Sequence, residues 1–186
     1  MKKILQQKEK VLRKIAVEID VADIKTKKIQ NIIKEMSQAL GSQNDGVAIA
    51  APQIGYAFRI FVVSGKIFHE DFGKNKEEIL LNEKSMGSNE TKEIIKDLVF
   101  INPKISKLSR DKDWVPEGCL SVRWLYGKTF RSKKATVTAY DENGKKFTRG
   151  ASGLLAQIFQ HETDHLNGVL FIDHAKDIKE ELPQSK

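Results

Sequence analysis

The apolar positions of this chain fall into a few clear patterns separated by stretches that have none. From 26 to 40, Ile29, Ile32, Ile33, Met36, Ala39 and Leu40 recur at helical spacing, which predicts an amphipathic helix packed on a core. Short apolar runs at 59–63 and 98–101 read as strands, the second stopped by Asn102-Pro103. An extended segment is expected at 115–122. Segments 135–140 and 145–148 flank Asp141-Glu142-Asn143-Gly144, where Asn-Gly marks a hairpin turn. Residues 4–20 mix Ile, Leu and Val with Lys and Glu without a period and stay unassigned. Residues 66–97, rich in Lys, Glu, Asn, Ser and Gly, predict a solvated excursion between strands, with His69 exposed.

A second helical pattern runs from 152 to 166, with Ser152 as a plausible N-cap and Asn167-Gly168 as a stop. On a wheel of roughly 100° per residue, His161, His165, Leu154 and Ile158 share one face, with Glu162 and Leu155 at its edge. That face is expected to point inward. Burying two imidazoles and a carboxylate unsatisfied would cost several kcal/mol, so something must compensate them. Histidines one turn apart can converge on one metal ion, and the adjacent Glu can reach a water there, which is the reading of His-Glu-x-x-His as a metal-hydrolase motif. Two core histidines bonded to backbone carbonyls are the alternative.

Composition narrows the field. At 186 residues, with 40% hydrophobic and 31% charged, the chain suits one domain with a sizeable core. No run of about 18 apolar residues is present, so a membrane-spanning helix is not expected. The net charge of +7 comes from lysines interleaved with acids, without a basic block or aromatic array, which favours a solvated surface over specific nucleic-acid binding. Cys119 is the only cysteine, so no intrachain disulfide can form and a reducing compartment fits.

Two further stretches carry candidate chemistry. Asn44-Asp45-Gly46-Val47-Ala48-Ile49-Ala50-Ala51-Pro52-Gln53-Ile54-Gly55 is built of small residues, which let a backbone approach another backbone or a ligand, around one long polar group, Gln53. A tight loop leading into the next strand is the plainer reading. Cys119 follows Gly118 in the extended segment and can complete a three-ligand site, or serve as a small buried hydrophobe. A helix precedes the strands and the strands precede the second helix. The expected architecture is therefore α+β, with mainly antiparallel sheets around a central catalytic helix carrying His-Glu-x-x-His. Residues 1–186 are expected to form one domain, with an insertion at 66–97 and a short charged tail at 175–186.

Taken in order, residues 46–53, Glu117-Gly118-Cys119-Leu120-Ser121 and Gln160-His161-Glu162-Thr163-Asp164-His165 resemble the three signature motifs of peptide deformylase. The flanks 98–105 and 166–173 resemble the family's usual context, so the likeness spans most of the chain except 66–97 and the last dozen residues. It implies removal of the formyl group from the N-terminal formylmethionine of new polypeptides, with release of formate. It also implies that Cys119, His161 and His165 hold one divalent metal ion, iron(II) being typical and zinc, nickel or cobalt able to substitute. Glu162 would take a proton from the attacking water and deliver it to the departing amine, while Gln53 and the backbone N–H of Leu120 donate to the oxyanion. The substrate main chain would lie along Gly46, Val47 and Ala48, beside Gly118, like an added strand. Val47, Leu154 and Ile158 would line the methionine pocket, and Gln160 and Asp164 would either support the ligands or face solvent.

This chain departs from the family pattern at Ala48, where a second glycine is usual, and at Arg123-Trp124-Leu125-Tyr126, where many members continue with Pro and then an Arg that helps bind the peptide. The short, charged stretch after His174 is not expected to form a long final helix, which would weaken any ribosome docking that depends on one. The implied partners are N-formylmethionyl nascent peptides, with transient ribosome association, no membrane and no specific nucleic acid. A cytoplasmic monomer is expected. The alternatives are another metal-dependent amide hydrolase, or a non-catalytic formyl-peptide-binding homologue, against which the presence of Glu162 and Gln53 argues.

Overall fold

The computed structural model describes residues 1–69, 72 and 95–182. The first helix, α1 (Lys27–Gly41), buries Ile29, Ile32, Ile33, Met36, Ala39 and Leu40, the residues its periodicity singles out. Five strands form one antiparallel sheet in the order β1 (Ala48–Ala50), β2 (Ile60–Val63), β3 (Leu98–Leu108), β6 (Lys134–Tyr140), β7 (Lys146–Ser152). A second antiparallel sheet has the order β4 (Lys112–Gly118), β5 (Leu125–Ser132), β8 (Lys176–Glu180). The second helix, α2 (Gly153–Leu166), carries the two histidines.

Alternation along the strands explains why the larger sheet can be covered on both faces. In β2, Ile60 and Val62 join the cluster formed with α1, whereas Phe61 and Val63 turn to the opposite face and join Ala156, Ile158, Phe159 and Leu166 of α2. All four strand residues are fully buried, which is why the run is apolar throughout. On the α2 side Phe61 stacks on Phe100 at 4.5 Å, and Phe159 meets Phe100 edge-on at 5.2 Å. Such aromatic pairs add about 0.5–1.5 kcal/mol each beyond their burial. Helix α2 also touches β5 of the smaller sheet, so it lies where the two sheets meet.

Two expectations need correction. Strand β3 does not stop at Asn102-Pro103 but runs through it to Leu108. Asn102 has φ 50° and its side chain bonds both the N–H and C=O of Ile19, at 2.8 and 2.7 Å. The pairing with β6 shifts register between Ile101 and Lys104, so the proline sits in a bulge, where no ladder donor is missed. His69 is half-buried rather than exposed. Most of the expected excursion at 66–97 lies outside the described residues.

The unpatterned N-terminal segment is irregular but well tied down. Leu12, Ala16 and Ile19 are buried, and the backbone N–H groups of Leu5 and Ala16 donate to the carbonyls of Gln53 (2.8 Å) and Leu166 (2.9 Å). At the far end, the charged stretch after His174 includes β8, which pairs with β5 and is exposed along its length. Among the described residues no helix is long and apolar enough to cross a membrane.

Candidate metal centre and cleft

Helix α2 begins at Gly153, which has φ 57°, after Ser152, whose side chain makes no capping bond. It ends where the Asn167 backbone N–H caps the last carbonyls and Gly168 turns the chain at φ 75°. A side chain at Gly168 would meet the backbone of Arg13 at 2.8 Å, so the glycine also permits the N-terminal segment to cross the helix end. One helical turn brings the rings of His161 and His165 to 4.8 Å between centroids. Cys119 approaches from the end of β4, and its Sγ lies 3.2 Å from His165 Nε2.

The ligand atoms of Cys119, His161 and His165 all lie within 4.8 Å of one another, the one such group of three among the described residues. A thiolate with two imidazoles is a donor set suited to a single borderline or soft divalent ion. The surroundings fit as well. His161 Nδ1 donates to Glu117 Oε1 at 2.6 Å, which leaves Nε2 as the ring's ligating nitrogen. Ser121 N–H points at the Cys119 sulfur at 3.4 Å.

Glu117 is the hub of this side. Its carboxylate, 6% exposed, accepts from Thr129 Oγ1 (2.6 Å), Arg131 Nε (3.1 Å) and Arg131 Nη2 (2.7 Å) besides His161. Arg131 continues to Asp164 through Nη1 at 2.6 Å. Burial alone would push the Glu117 carboxyl up, but the hydrogen bonds from His161 and Arg131 and their charges hold it well below the usual range. Arg131 is likewise disfavoured by burial and restored above its ordinary value by Glu117 and Asp164. His165 is pushed down by burial and by the neighbouring His161, which favours the neutral ring, with one nitrogen free to accept. Gln160, buried, bonds the Ser132 N–H and C=O at 2.9 and 3.0 Å and so ties α2 to β5.

Glu162 stands apart from that network. It is 3% exposed, and Oε2 has no partner among the described residues. Burial, reinforced by the charges of Glu117 and Asp164 and opposed by His161, pushes its carboxyl up to about 7. A carboxyl with that pKa can both accept and return a proton near neutrality.

A cavity of about 290 Å³ opens over these groups, lined by His161 and Glu162. Gly46, Val47 and Ala48 line it together with Gly118, Cys119 and Leu120. A side chain at Gly118 would strike the Tyr126 ring at 2.6 Å, so the glycine keeps that wall thin. Ala48 sits in β1, paired with Val63, and is not among the residues with positive φ, so its methyl imposes no backbone strain. Gln53, 1% exposed, lies on the short turn Ala51–Ile54. Its Oε1 accepts from Ala50 N–H at 2.7 Å and its Nε2 faces Ser121 Oγ at 3.1 Å and the Cys119 sulfur at 3.6 Å. The C=O on either side of the Leu120 N–H group is fixed: Cys119 O accepts from Val122 N at 3.1 Å, and Leu120 O from Gln6 Nε2 at 3.1 Å.

Ile158 lines the cavity, whereas Leu154 does not: it is 40% exposed. The wheel places it at the right angle, yet it lies seven residues before His161, roughly 10 Å along the axis at 1.5 Å per residue and beyond the cleft. Sequence reasoning assigned no role to Glu117, although it sits inside a recognised motif, and it missed Arg131 altogether, because β5 was not anticipated.

The family of polypeptide deformylases has a sequence pattern that matches residues 1–181. Peptide deformylase 2 of Clostridium acetobutylicum is 35% identical over 173 residues, covering 93% of this chain and 94% of that protein. The peptide deformylase of Borreliella burgdorferi is 38% identical over 161 residues, covering 83% and 82%. Among solved structures, a Synechococcus elongatus peptide deformylase in complex with actinonin superposes with a TM-score of 0.72 at 31% identity, covering 95% of this chain and 79% of that one. The Met-Ala-Ser-bound class I type b enzyme of Acinetobacter baumannii gives a TM-score of 0.73 at 25% identity, covering 92% and 97%. With a match over nearly its whole length and relatives of this similarity, the chain belongs to the polypeptide deformylase family.

Proposed function

We propose that this protein hydrolyses the formyl group from the N-terminal formylmethionine of new polypeptides, with Glu162 as its proton carrier. The observation that carries the assignment of roles is a buried carboxyl, pushed up to about 7 and unpartnered at Oε2, in the same cavity as the cluster of Cys119, His161 and His165. A divalent ion held by those three residues supplies Lewis acidity toward the formyl carbonyl and a lowered pKa for the attacking water; iron(II) is the proposed ion, and zinc, nickel and cobalt suit the same donors.

The chain's own groups supply the rest. Glu162 takes the proton of the attacking water and returns it to the departing amine, so that formate and a free methionyl N-terminus result. Gln53 Nε2 and the Leu120 N–H donate to the formyl oxygen as charge builds on it. Both are fixed beforehand by the bonds described above, so little reorganisation is needed at the moment of reaction. Among the described residues strand β1 pairs with β2 on one side only, and Ala48 with the preceding Gly46 and Val47 borders the cavity, where an extended peptide can add as a strand. Val47 and Ile158 offer an apolar lining for the methionine side chain. The protein is proposed to work as a cytoplasmic monomer that meets chains transiently at the ribosome.

The test is formate release from formyl-Met-Ala-Ser by nickel-loaded protein, beside the Glu162→Ala variant. The expected result is turnover that falls about 10²–10⁴-fold in the variant. Turnover that survives Glu162→Ala would remove Glu162 from its role.

A further inference from the structure

The smaller sheet has a second face, turned to water. Antiparallel partners point to the same side, so the register sorts the residues of β4, β5 and β8 into two sets. One set contains Glu117, Thr129 and Arg131 and forms the buried network beside His161. The other places Trp114 opposite Phe130, Lys128 opposite Lys176 and Tyr126 opposite Lys179, with Lys112 two residues before Trp114. Trp114 and Phe130 are 40% and 54% exposed, and their ring centroids lie 5.3 Å apart. Lys176 reaches from β8 to place Nζ 4.6 Å over the Trp114 ring, and Lys112 places its own 5.7 Å over Phe130. Lysines and acids alternate along the chain at Lys112-Asp113 and Lys179-Glu180, and the pleat separates what the sequence interleaves. Asp113 lies opposite Arg131 and Glu180 opposite Leu125, both in the set of Glu117. Asp177, 3.5 Å from Lys128, is the acid of these strands that stays beside the lysines.

We propose that this face binds single-stranded RNA without regard to sequence, unpaired bases stacking on Trp114 and Phe130 while Lys112, Lys128, Lys176 and Lys179 hold the flanking phosphates. Exposed rings side by side offer π-faces that any base can cover. The surrounding ammonium groups have phosphate as their complement, and a nucleic-acid strand supplies a flat aromatic group and an anion at every residue. A second copy of this chain is a poorer occupant, because a two-fold contact on this face would set lysine against lysine. A duplex keeps its bases stacked on one another and offers the rings nothing. The choice of RNA over DNA rests on the proposed function, since new polypeptides are made on RNA; the stacking and the charge do not depend on it. Gly118 and Tyr126, at one end of this sheet, line the cavity, whereas Trp114 and Phe130 do not, so the two sites are adjacent and distinct.

The experiment titrates a short, unstructured, fluorescein-labelled RNA with the full-length protein and follows anisotropy at low and physiological salt, beside the duplex and the DNA strand of the same sequence. Expected is a dissociation constant on the order of 10⁻⁵ M that weakens as salt rises. Trp114→Ala should weaken binding about tenfold. Lys112→Ala combined with Lys176→Ala should make the salt dependence shallower, by about 1.4 in the slope of log affinity against log salt. Formate release from formyl-Met-Ala-Ser and the unfolding midpoint should stay near wild type in both variants. Should Trp114→Ala fail to fold, Phe130→Ser, at the more exposed ring, carries the same expectation. No binding at low salt, affinity and salt slope unmoved by these substitutions, or a duplex held as tightly as the single strand would overturn the proposal. So would DNA bound more tightly than RNA, or self-association in sedimentation that Trp114→Ala abolishes. RNA binding by a wild type that releases no formate would keep this face and overturn the hydrolase reading instead.

Discussion

On the Cys119 side of the cavity, position is enforced by charge: Glu117, Arg131, Thr129 and His161 share hydrogen bonds of 2.6–3.1 Å out of water. On the β1 side it is enforced mainly by small residues and main-chain pairing, with Ala48 and Ala50 paired to Val63 and Phe61 of β2 and the Gln53 side chain bonded to Ala50 N–H. The difference follows from what each side must hold. Ligands to an ion have to keep angle and tautomer, which only directed polar contacts can set. A peptide backbone needs an open edge with its N–H and C=O groups free, and any large side chain would obstruct it.

This contrast can be broken most severely at Arg131. Arg131→Ala leaves the buried Glu117 carboxylate without its main cationic partner, and loss of about 3–5 kcal/mol of unfolding free energy is expected in urea titrations. Metal content after dialysis should fall as well, by about 10–100-fold in affinity, because Glu117, the partner of His161, loses the group that orients it. A stable, fully metallated Arg131→Ala protein would show that packing, not charge, holds this wall. A smaller effect is expected at Gly46→Ala. The new methyl would meet Leu40 Cδ1 at 3.0 Å, Gln43 Cβ at 3.1 Å and Leu120 Cδ1 at 3.2 Å, all tight contacts. A cost of about 1 kcal/mol in stability and a raised KM with metal affinity unchanged would sharpen the division of labour. The smallest effect belongs to Leu154→Ala: stability within about 0.5 kcal/mol of wild type and an unaltered KM for formyl-Met peptides. A clear rise in that KM would restore Leu154 to the methionine pocket.

What could be read from the chain beforehand divides along the same line. The histidines of α2 were legible because one helical turn is a local rule, and so was the hairpin at Asn143-Gly144, where β6 turns into β7. Leu154 was misplaced for a local reason too, since a wheel gives the angle around a helix and says nothing about how far along it a cleft extends. Asn102-Pro103 looked like a terminator because the contact that makes it a bulge, with Ile19, comes from 83 residues away. Arg131 had no signal at all: its partners Glu117 and Asp164 become its neighbours only once β5 pairs with β4 and packs against α2. Charge networks of that kind are properties of the folded chain, whereas motifs for ligands and turns are properties of short segments.

The N-terminal segment gives this a dimension in time. Leu5 holds the carbonyl of Gln53, Gln6 that of Leu120 across 114 residues, and Ala16 that of Leu166 at the end of α2. Closing contacts over such spans carries an entropic cost before any of them is rewarded, so they form after the local helices and hairpins. The groups proposed to donate to the formyl oxygen are therefore expected among the last parts of the chain to be fixed in folding.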